Sequence, residues 1–317
     1  MISRRSVRIK TMQAIYAFER SEGTPMLHFE TLLKKSINSV KEQYLFHLFL
    51  IREVANFVDK MAKIKASKYI RSDADKHFST KLLSNIFISY LNHDKEFLDL
   101  IEIYKFSRHV NDDLIRKLYL ELSETELYKN YVENPSEFEF EADKKIIKML
   151  YEEIMLGSEV VKSLFEELWP TWEDDIEFVH STVTEAIKKS KEELKLHLEK
   201  ASIMDKFQEL MNFALELFKK TIEEKDTQVS LYVPKLKNWE ADRLAILDQI
   251  ILRMALTEFT CFPSIPLKVS INEYLDISKE FSTPKSKDFI NGVLDRLMKE
   301  LKETGAIKKI GRGLINN

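Results

Sequence analysis

Apolar residues recur three and four positions apart along most of the chain, which is the spacing of one face of an α-helix. The stripe is clearest near the carboxyl end, where it is formed by Phe289, Ile290, Val293, Leu294, Leu297 and Leu301. Similar patterns predict helices over residues 3–20, 29–70, 81–106, 112–132, 141–155, 159–168, 172–200, 204–224 and 239–260. The pattern therefore predicts an all-α fold.

Breaker residues predict where several of these helices stop. Pro170 separates two of them, and Pro263 with Pro266 ends another, because proline lacks the amide hydrogen that a helix interior needs. Residues 227–234 are predicted to form an irregular link. The stretch 133–143 is acidic and contains no basic residue, so it is predicted to be a solvated connector.

Capping residues predict the boundaries of the last two helices. Ser270 and Glu273 have the spacing of a capping box, in which each side chain satisfies a backbone amide as a helix begins. Thr283 and Pro284 supply a favoured cap and first position for the final helix. Gly305 is predicted to end that helix.

Composition agrees with a helical protein that has its own core. Only 6 Gly and 7 Pro occur in 317 residues, and a chain with so few turn-forming residues is mostly helical. A single cysteine, Cys261, excludes an internal disulfide framework and a multi-cysteine zinc site. No uncharged run approaches the roughly 18 residues that span a membrane. We therefore expect a cytoplasmic protein.

The sequence contains no pattern typical of an enzyme. Glycine is too scarce for a phosphate loop or a dinucleotide fingerprint, and the seven histidines lack the spacing of metal ligands. Acidic clusters such as residues 173–175 have an ordinary explanation as solvated helix faces. We expect no catalytic residues, no metal and no cofactor.

The first predicted helix carries an unusual charge. Arg4, Arg5 and Arg8 lie in its first turns, where the positive end of the helix dipole disfavours cations. They therefore have a purpose other than helix stability. We predict that the second half of this helix docks on the core, and that its basic start projects at the edge. The alternative is a frayed terminus that only improves solubility.

Two parts of the chain resemble the NusB transcription antitermination family. Residues 4–8 (RRSVR) and 12–16 (MQAIY) are similar to the family's first helix. Residues 252–259 (LRMALTEF), 265–273 (IPLKVSINE) and 286–295 (SKDFINGVLD) are similar to its carboxyl-terminal signature, in the same order. The last of these motifs is the most specific.

The resemblance implies a discontinuous NusB-like helical domain formed by residues 1–20 and 203–317. Residues 21–202 would then be a large inserted helical domain, for which the family implies no role. RNA methyltransferases with a NusB-like domain are a further class, but they need a nucleotide-cofactor domain with a glycine-rich loop. Residues 21–202 contain only Gly23 and Gly157, so this class is set aside.

The resemblance also implies a function in ribosomal RNA synthesis in bacteria. The family binds the boxA element of ribosomal RNA leaders together with NusE, a ribosomal protein, within the antitermination complex of RNA polymerase. The implied RNA-binding residues are Arg4, Arg5, Arg8, Lys285, Lys287 and Phe289. The implied NusE-binding residues are Tyr16 and Asp248. Lysine is usual in the family at the position that Asp288 occupies here.

Each of these residues also has a structural explanation. Phe289 belongs to the apolar stripe, Tyr16 continues the apolar face of the first helix, and Asp248 could be a solvated acid. Gly292 is expected to reflect close packing between helices, since a glycine inside a helix costs about 1 kcal/mol. A helical scaffold that keeps the fold for protein docking, without RNA binding, is the alternative function.

Overall fold

The computed structural model describes residues 4–133, 140–189, 200–236 and 244–314, and among these residues it contains helices and no strand. The prediction of an all-α fold is confirmed. Two compact units are present: one comprises Ser39–Asp205, and the other comprises Ile2–Asn38 with Lys206–Asn317. The helix α2 begins in the second of these units and continues in the first, with bounds Met26–Ser67.

The unit formed by Ser39–Asp205 contains most of the helices. After α2 they are α3 (Asp73–Lys76), α4 (Ile86–His93), α5 (Lys95–Tyr104), α6 (Asp112–Glu124), α7 (Glu126–Glu133), α8 (Phe140–Met149), α9 (Glu159–Leu168) and α10 (Trp172–Lys189). Short 3-10 turns lie at Lys81–Ser84 and Phe106–Arg108, and a π-helical turn at Leu150–Met155 continues α8.

Polar caps divide segments that the apolar pattern had joined. The predicted helix 81–106 is interrupted at Asn85 and Asp94, whose side chains accept backbone amide hydrogens at the starts of α4 and α5. The predicted helix 112–132 is interrupted at Thr125, whose hydroxyl accepts from the amide of Tyr128 at 3.2 Å. Asn, Asp and Thr side chains favour such local bonds over a continuous helix.

Aromatic side chains fill the core of this unit. Phe46 on α2 lies edge-on to Phe165 and Trp169, with ring centroids 6.1 and 5.3 Å apart. His47 stacks on Phe165 at 4.5 Å, and its Nδ1 lies 2.9 Å from the hydroxyl of Tyr151. Burial lowers the pKa of His47 to about 3, so the ring is neutral near pH 7.

The other unit contains the segments that resemble the family. Its helices are α1 (Arg4–Arg20), α11 (Lys200–Glu223), α12 (Lys225–Tyr232), α13 (Ile246–Cys261), α14 (Leu267–Phe281) and α15 (Ser286–Glu303), with a 3-10 turn at Val233–Lys235. The side chains of α13 are buried on nearly every face, and the helix contacts α1, α12, α14 and α15. Helix α13 is therefore the centre of this unit.

Two local predictions are wrong in this unit. The predicted irregular link 227–234 lies mainly in α12, because that segment packs on α13 and Gln228 donates to the hydroxyl of Thr257 at 2.7 Å. The predicted capping box is absent, since α14 begins at Leu267 directly after Pro266. Ser270 and Glu273 are interior to that helix, where their side chains bond to other helices.

The apolar stripe and the end of the final helix agree with their prediction, but the predicted cap is wrong. Lys285 precedes the helix without a side-chain cap, and the hydroxyl of Thr283 instead bonds to the hydroxyl of Ser286 at 2.8 Å. Helix α15 begins at Ser286, two residues after Pro284, and its apolar stripe is buried except for Phe289, which is half-buried. Gly305 follows the helix with a φ of 70°, the left-handed conformation that glycine adopts freely.

Some predictions concern residues outside the described ranges. These are the middle of the acidic connector (134–139), the end of the predicted helix 172–200 and the start of the predicted helix at residue 239. Within the described ranges, no helix has the length and apolar character needed to cross a membrane.

Candidate nucleic-acid interface

The three arginines at the start of α1 occupy three different environments. Arg4 is exposed, and its guanidinium carbon lies 5.7 Å from the centroid of the Phe213 ring. This position leaves the charge of Arg4 accessible at the surface.

Arg5 is partly exposed and already pairs with carboxylates on α14. Its Nη2 donates to Asp276 at 2.6 Å, and its Nε donates to Glu273 at 3.2 Å. The hydrogen bond to Glu273 holds the pKa of Arg5 above its ordinary value. An RNA phosphate would therefore compete with two acids for this guanidinium.

Arg8 lies inside the protein rather than at its edge. Its side chain is 1% exposed, and its Nε and Nη2 donate to the two carboxylate oxygens of Glu258 at 2.8 and 2.6 Å. Burial opposes the charge of Arg8, but Glu258 outweighs this effect and holds the pKa of the guanidinium above its ordinary value. The expectation that Arg8 projects at the edge is corrected.

The Arg8–Glu258 pair belongs to a larger buried network. The hydroxyls of Ser270 and Tyr274 donate to the Glu258 carboxylate at 2.6 and 3.1 Å. The rings of Phe213 and Tyr274 lie 5.4 and 5.7 Å from the Arg8 guanidinium carbon. The network joins α1, α13 and α14, so Arg8 fixes the helix that carries Arg4 and Arg5.

A second basic site lies at the start of α15. Lys285 and Lys287 are exposed there. Phe289 is half-buried: one part of the ring packs against the core, while the residue also lines an open groove of about 400 Å³. The first turn of α15 has backbone amides and a positive dipole end, both of which attract anions.

Residues from α15, from the turn just before it and from the 3-10 turn Val233–Lys235 form the walls of this groove. They are Lys235, Pro284, Lys285, Asp288, Phe289, Gly292, Val293 and Arg296. Arg296 donates from Nη1 to the carbonyl oxygen of Lys235 at 2.9 Å, which links the two walls. Three of these residues are basic and only Asp288 is acidic, so the charge of the lining favours a negatively charged ligand.

Gly292 has a different environment from the one expected. A side-chain carbon at this position would meet no atom within 4 Å in the described part of the chain, so close helix packing does not require the glycine. It instead leaves the groove wall without a side chain between Phe289 and Arg296. The backbone of α15 is therefore approachable at that point.

The two residues predicted to bind a protein partner differ in exposure. Tyr16 is 39% exposed on the outer face of α1. Asp248 is 5% exposed, and its two carboxylate oxygens accept from the hydroxyls of Ser282 and Ser286 at 2.6 and 2.8 Å. Asp248 therefore holds the turn between α14 and α15 instead of presenting its carboxylate at the surface.

Sequence reasoning missed Lys235 and Arg296 in the groove and Glu258 in the network. Arg296 lies two turns after Phe289 on the same face of α15, a spacing that could have revealed it. Lys235 comes from a distant segment, and no local pattern marks it. Glu258 lies in a mostly apolar helix, where an acid signals a buried partner.

Comparison with known proteins gives a consistent set of relatives. The model of the NusB family matches residues 174–299. A protein named transcription antitermination protein NusB from Salinibacter ruber is 40% identical over 104 residues, which are 33% of this chain and 65% of the relative. Its namesake in Chloroherpeton thalassium is 41% identical over 95 residues, 30% of this chain and 44% of the relative.

A third relative is covered more completely. The protein of the same name from Koribacter versatilis is 40% identical over 109 residues, which are 33% of this chain and 74% of that protein. By contrast, the chain spans less than two thirds of the first two relatives. The family match begins at residue 174, before the predicted domain boundary at residue 203. No solved structure gives a significant match.

Proposed function

This chain belongs to the NusB family, and on that premise we propose that it is a transcription antitermination factor that binds the boxA-type leader of ribosomal RNA. It acts as a cytoplasmic, non-enzymatic protein. The observation that carries the proposal is the basic groove at the start of α15, where exposed lysines flank a partly exposed aromatic ring.

The residues at the start of α15, in and beside the groove, suit single-stranded RNA. Lys285 and Lys287 bind phosphates, with affinity that falls as salt rises because bound counterions are released. Phe289 offers the exposed part of its ring to an unstacked base. Arg4 adds a further cation, and Arg5 does so once a phosphate displaces its carboxylates. Arg8 supports the site by anchoring α1 and does not contact RNA.

The proposed protein partner is the ribosomal protein NusE, within the antitermination complex of RNA polymerase. Tyr16 supports this proposal, because an aromatic side chain exposed on an otherwise well-packed helix suits a protein interface. Asp248 contributes indirectly, since it fixes the turn that precedes α15. RNA and NusE would then reinforce each other when both bind one protein.

One observation favours the scaffold without RNA binding as a second candidate. Of the three N-terminal arginines, Arg8 is buried and Arg5 is paired with acids, which leaves a smaller basic surface than the sequence predicts. Such a scaffold would bind NusE and show no affinity for RNA.

Fluorescence anisotropy of a labelled boxA-type leader RNA tests the proposal, with and without NusE and at two salt concentrations. We expect salt-sensitive binding that NusE strengthens and that a scrambled RNA loses. NusE binding without RNA binding would favour the scaffold, and binding of neither partner would refute both functions.

A further inference from the structure

Another basic surface, separate from those of α1 and α15, lies in the unit formed by Ser39–Asp205, at the end of α2. Between residues 60 and 71 the chain carries Lys60, Lys63, Lys65, Lys68 and Arg71 and no acid. We call residues 60–71 the basic segment. Its concentration of one charge contrasts with the net charge of -3 for the whole chain, so it is a local feature and not a reflection of overall composition.

Two exposed apolar residues lie near the end of the basic segment, directly before Arg71. Tyr69 is fully exposed, with 102% relative accessibility, and Ile70 is 83% exposed. Both follow the last residue of α2, Ser67. An aromatic ring that has this exposure gains nothing from burial in the fold and is available for contact with a ligand.

Asp75 orders the chain around this ring. Its carboxylate accepts from Lys68 at 3.1 Å and lies 3.6 Å from Lys65, and it forms a capping box with Ser72 at the start of α3. The hydrogen bond from Lys68 is the main reason why the pKa of Asp75 falls to about 2. The turn that presents Tyr69 is therefore held by specific contacts on both sides.

The internal ion pairs leave positive charge for a ligand. Lys65 and Lys68 share the single carboxylate of Asp75. Arg71 donates to the carbonyl oxygen of Ala66, a neutral acceptor that leaves the guanidinium charge in place. The pair between Lys63 and Asp59 is exposed, and exposed pairs contribute little, so a phosphate can replace the carboxylate of Asp59.

We propose that the basic segment is a second RNA-binding site, in which a base of single-stranded RNA stacks on Tyr69 while Lys68 and Arg71 bind the flanking phosphates. A fully exposed ring between cations is the arrangement that binds single strands without sequence preference. Duplex RNA hides the faces of its bases, so the ring favours unpaired nucleotides. The inference rests on the proposed function in that it assumes an RNA partner.

Binding of a labelled oligouridine of about twelve nucleotides tests this site in the full chain. Tyr69→Leu keeps an apolar side chain but removes the aromatic face, and it should weaken binding at least about fivefold. Tyr69→Phe should bind as the wild type does. Affinity falls as salt rises, and Lys68→Ala combined with Arg71→Ala should make this dependence shallower. The magnitude of the slope of log affinity against log salt should drop by about 1.4, since each phosphate contact contributes about 0.7.

Matched variants separate this inference from the proposed function. Lys129→Ala with Lys162→Ala removes two partly exposed lysines of the same unit and should leave the oligouridine affinity unchanged. If Tyr69→Leu binds like the wild type while Lys285→Ala with Lys287→Ala loses affinity, the second site is refuted and the α15 site stands. If the wild type binds no RNA, both are refuted.

Vesicles with anionic headgroups provide the last arm of the test. We expect Tyr69→Leu to bind these vesicles as the wild type does. Loss of vesicle binding in Tyr69→Leu, with oligouridine binding intact, would overturn the RNA site and assign the segment to a lipid surface.

Discussion

At the residue scale, Arg8 shows how a charged side chain is accommodated in a protein core. A buried guanidinium is stable only where a carboxylate satisfies it, and Glu258 accepts from Arg8 through both of its oxygens. The hydroxyls of Ser270 and Tyr274 donate to the same carboxylate and satisfy it in turn. Removal of one charge would leave the other buried without compensation, which costs far more than losing an exposed pair.

Glu258→Gln should therefore lower the free energy of unfolding by about 3–5 kcal/mol. The amide has nearly the same shape as the carboxylate but leaves Arg8 with only the longer contact to the carboxylate of Glu273, at 3.5 Å. Urea unfolding followed by circular dichroism measures the change. Glu223→Gln is the control, because that acid is 52% exposed and 3.9 Å from Lys220. Equal stability of the two variants would contradict the proposed importance of the network.

At the element scale, the contact between α1 and α14 combines structure with proposed function. Arg8 anchors α1 through buried bonds, whereas Arg5 meets Glu273 and Asp276 near the surface. The acids hold Arg5 in a defined position when no phosphate is bound. They also repel an approaching RNA, so the same contact reduces affinity.

Asp276→Asn should raise the affinity for leader RNA by about two- to fivefold, which corresponds to the free energy of one exposed ion pair. The variant removes a negative charge 2.6 Å from Arg5 and keeps the ion pair between Glu273 and Arg8. Anisotropy at low salt measures the effect. Glu280→Gln removes an exposed acid of the same helix, and an equal gain there would show that Arg5 has no special part in RNA binding.

The elements also show which patterns predict structure and which do not. The stripe from Ile290 to Leu301 predicts α15 well, because all the apolar residues of that helix face are buried in the core. The Ser270–Glu273 pattern misleads, because the same residues bond across helices to Glu258 and Arg5. Local motifs fail where tertiary partners compete for the same side chains.

At the scale of the whole molecule, family resemblance and periodicity predict the all-α fold and the exposed lysines of α15. They do not predict that Arg8 and Asp248 are buried, because burial depends on residues distant in sequence. The first segment of the unit that contains α1 ends at Asn38. The sequence predicts that the first segment of the NusB-like domain ends at residue 20. That domain division remains a prediction.

The buried histidine of the Ser39–Asp205 unit should make stability depend on pH. His47 has a folded pKa of about 3 against 6.5 ordinarily, so the unfolded state binds a proton that the folded state excludes. Its contribution is complete above pH 6.5 and is lost as the pH falls towards 3. Between pH 7 and pH 5, the wild type should lose about 2 kcal/mol more than His47→Gln.

Urea titrations at the two pH values measure this difference. Tryptophan fluorescence is a suitable signal, because Trp169 and Trp172 lie near the rings around His47. His109→Gln alters an exposed histidine and should behave as the wild type does. Identical pH dependence in the wild type and His47→Gln would show that His47 titrates as it does in the unfolded chain.

The central claim is that the start of α15 binds RNA through Lys285 and Lys287, and the salt dependence of leader affinity tests it most directly. Lys285→Ala with Lys287→Ala should weaken binding and reduce the magnitude of the slope of log affinity against log salt by about 1.4. Lys299→Ala with Lys302→Ala removes the same charge from the other end of α15 and should change neither quantity. Equal affinity and slope in the two double variants would contradict the claim.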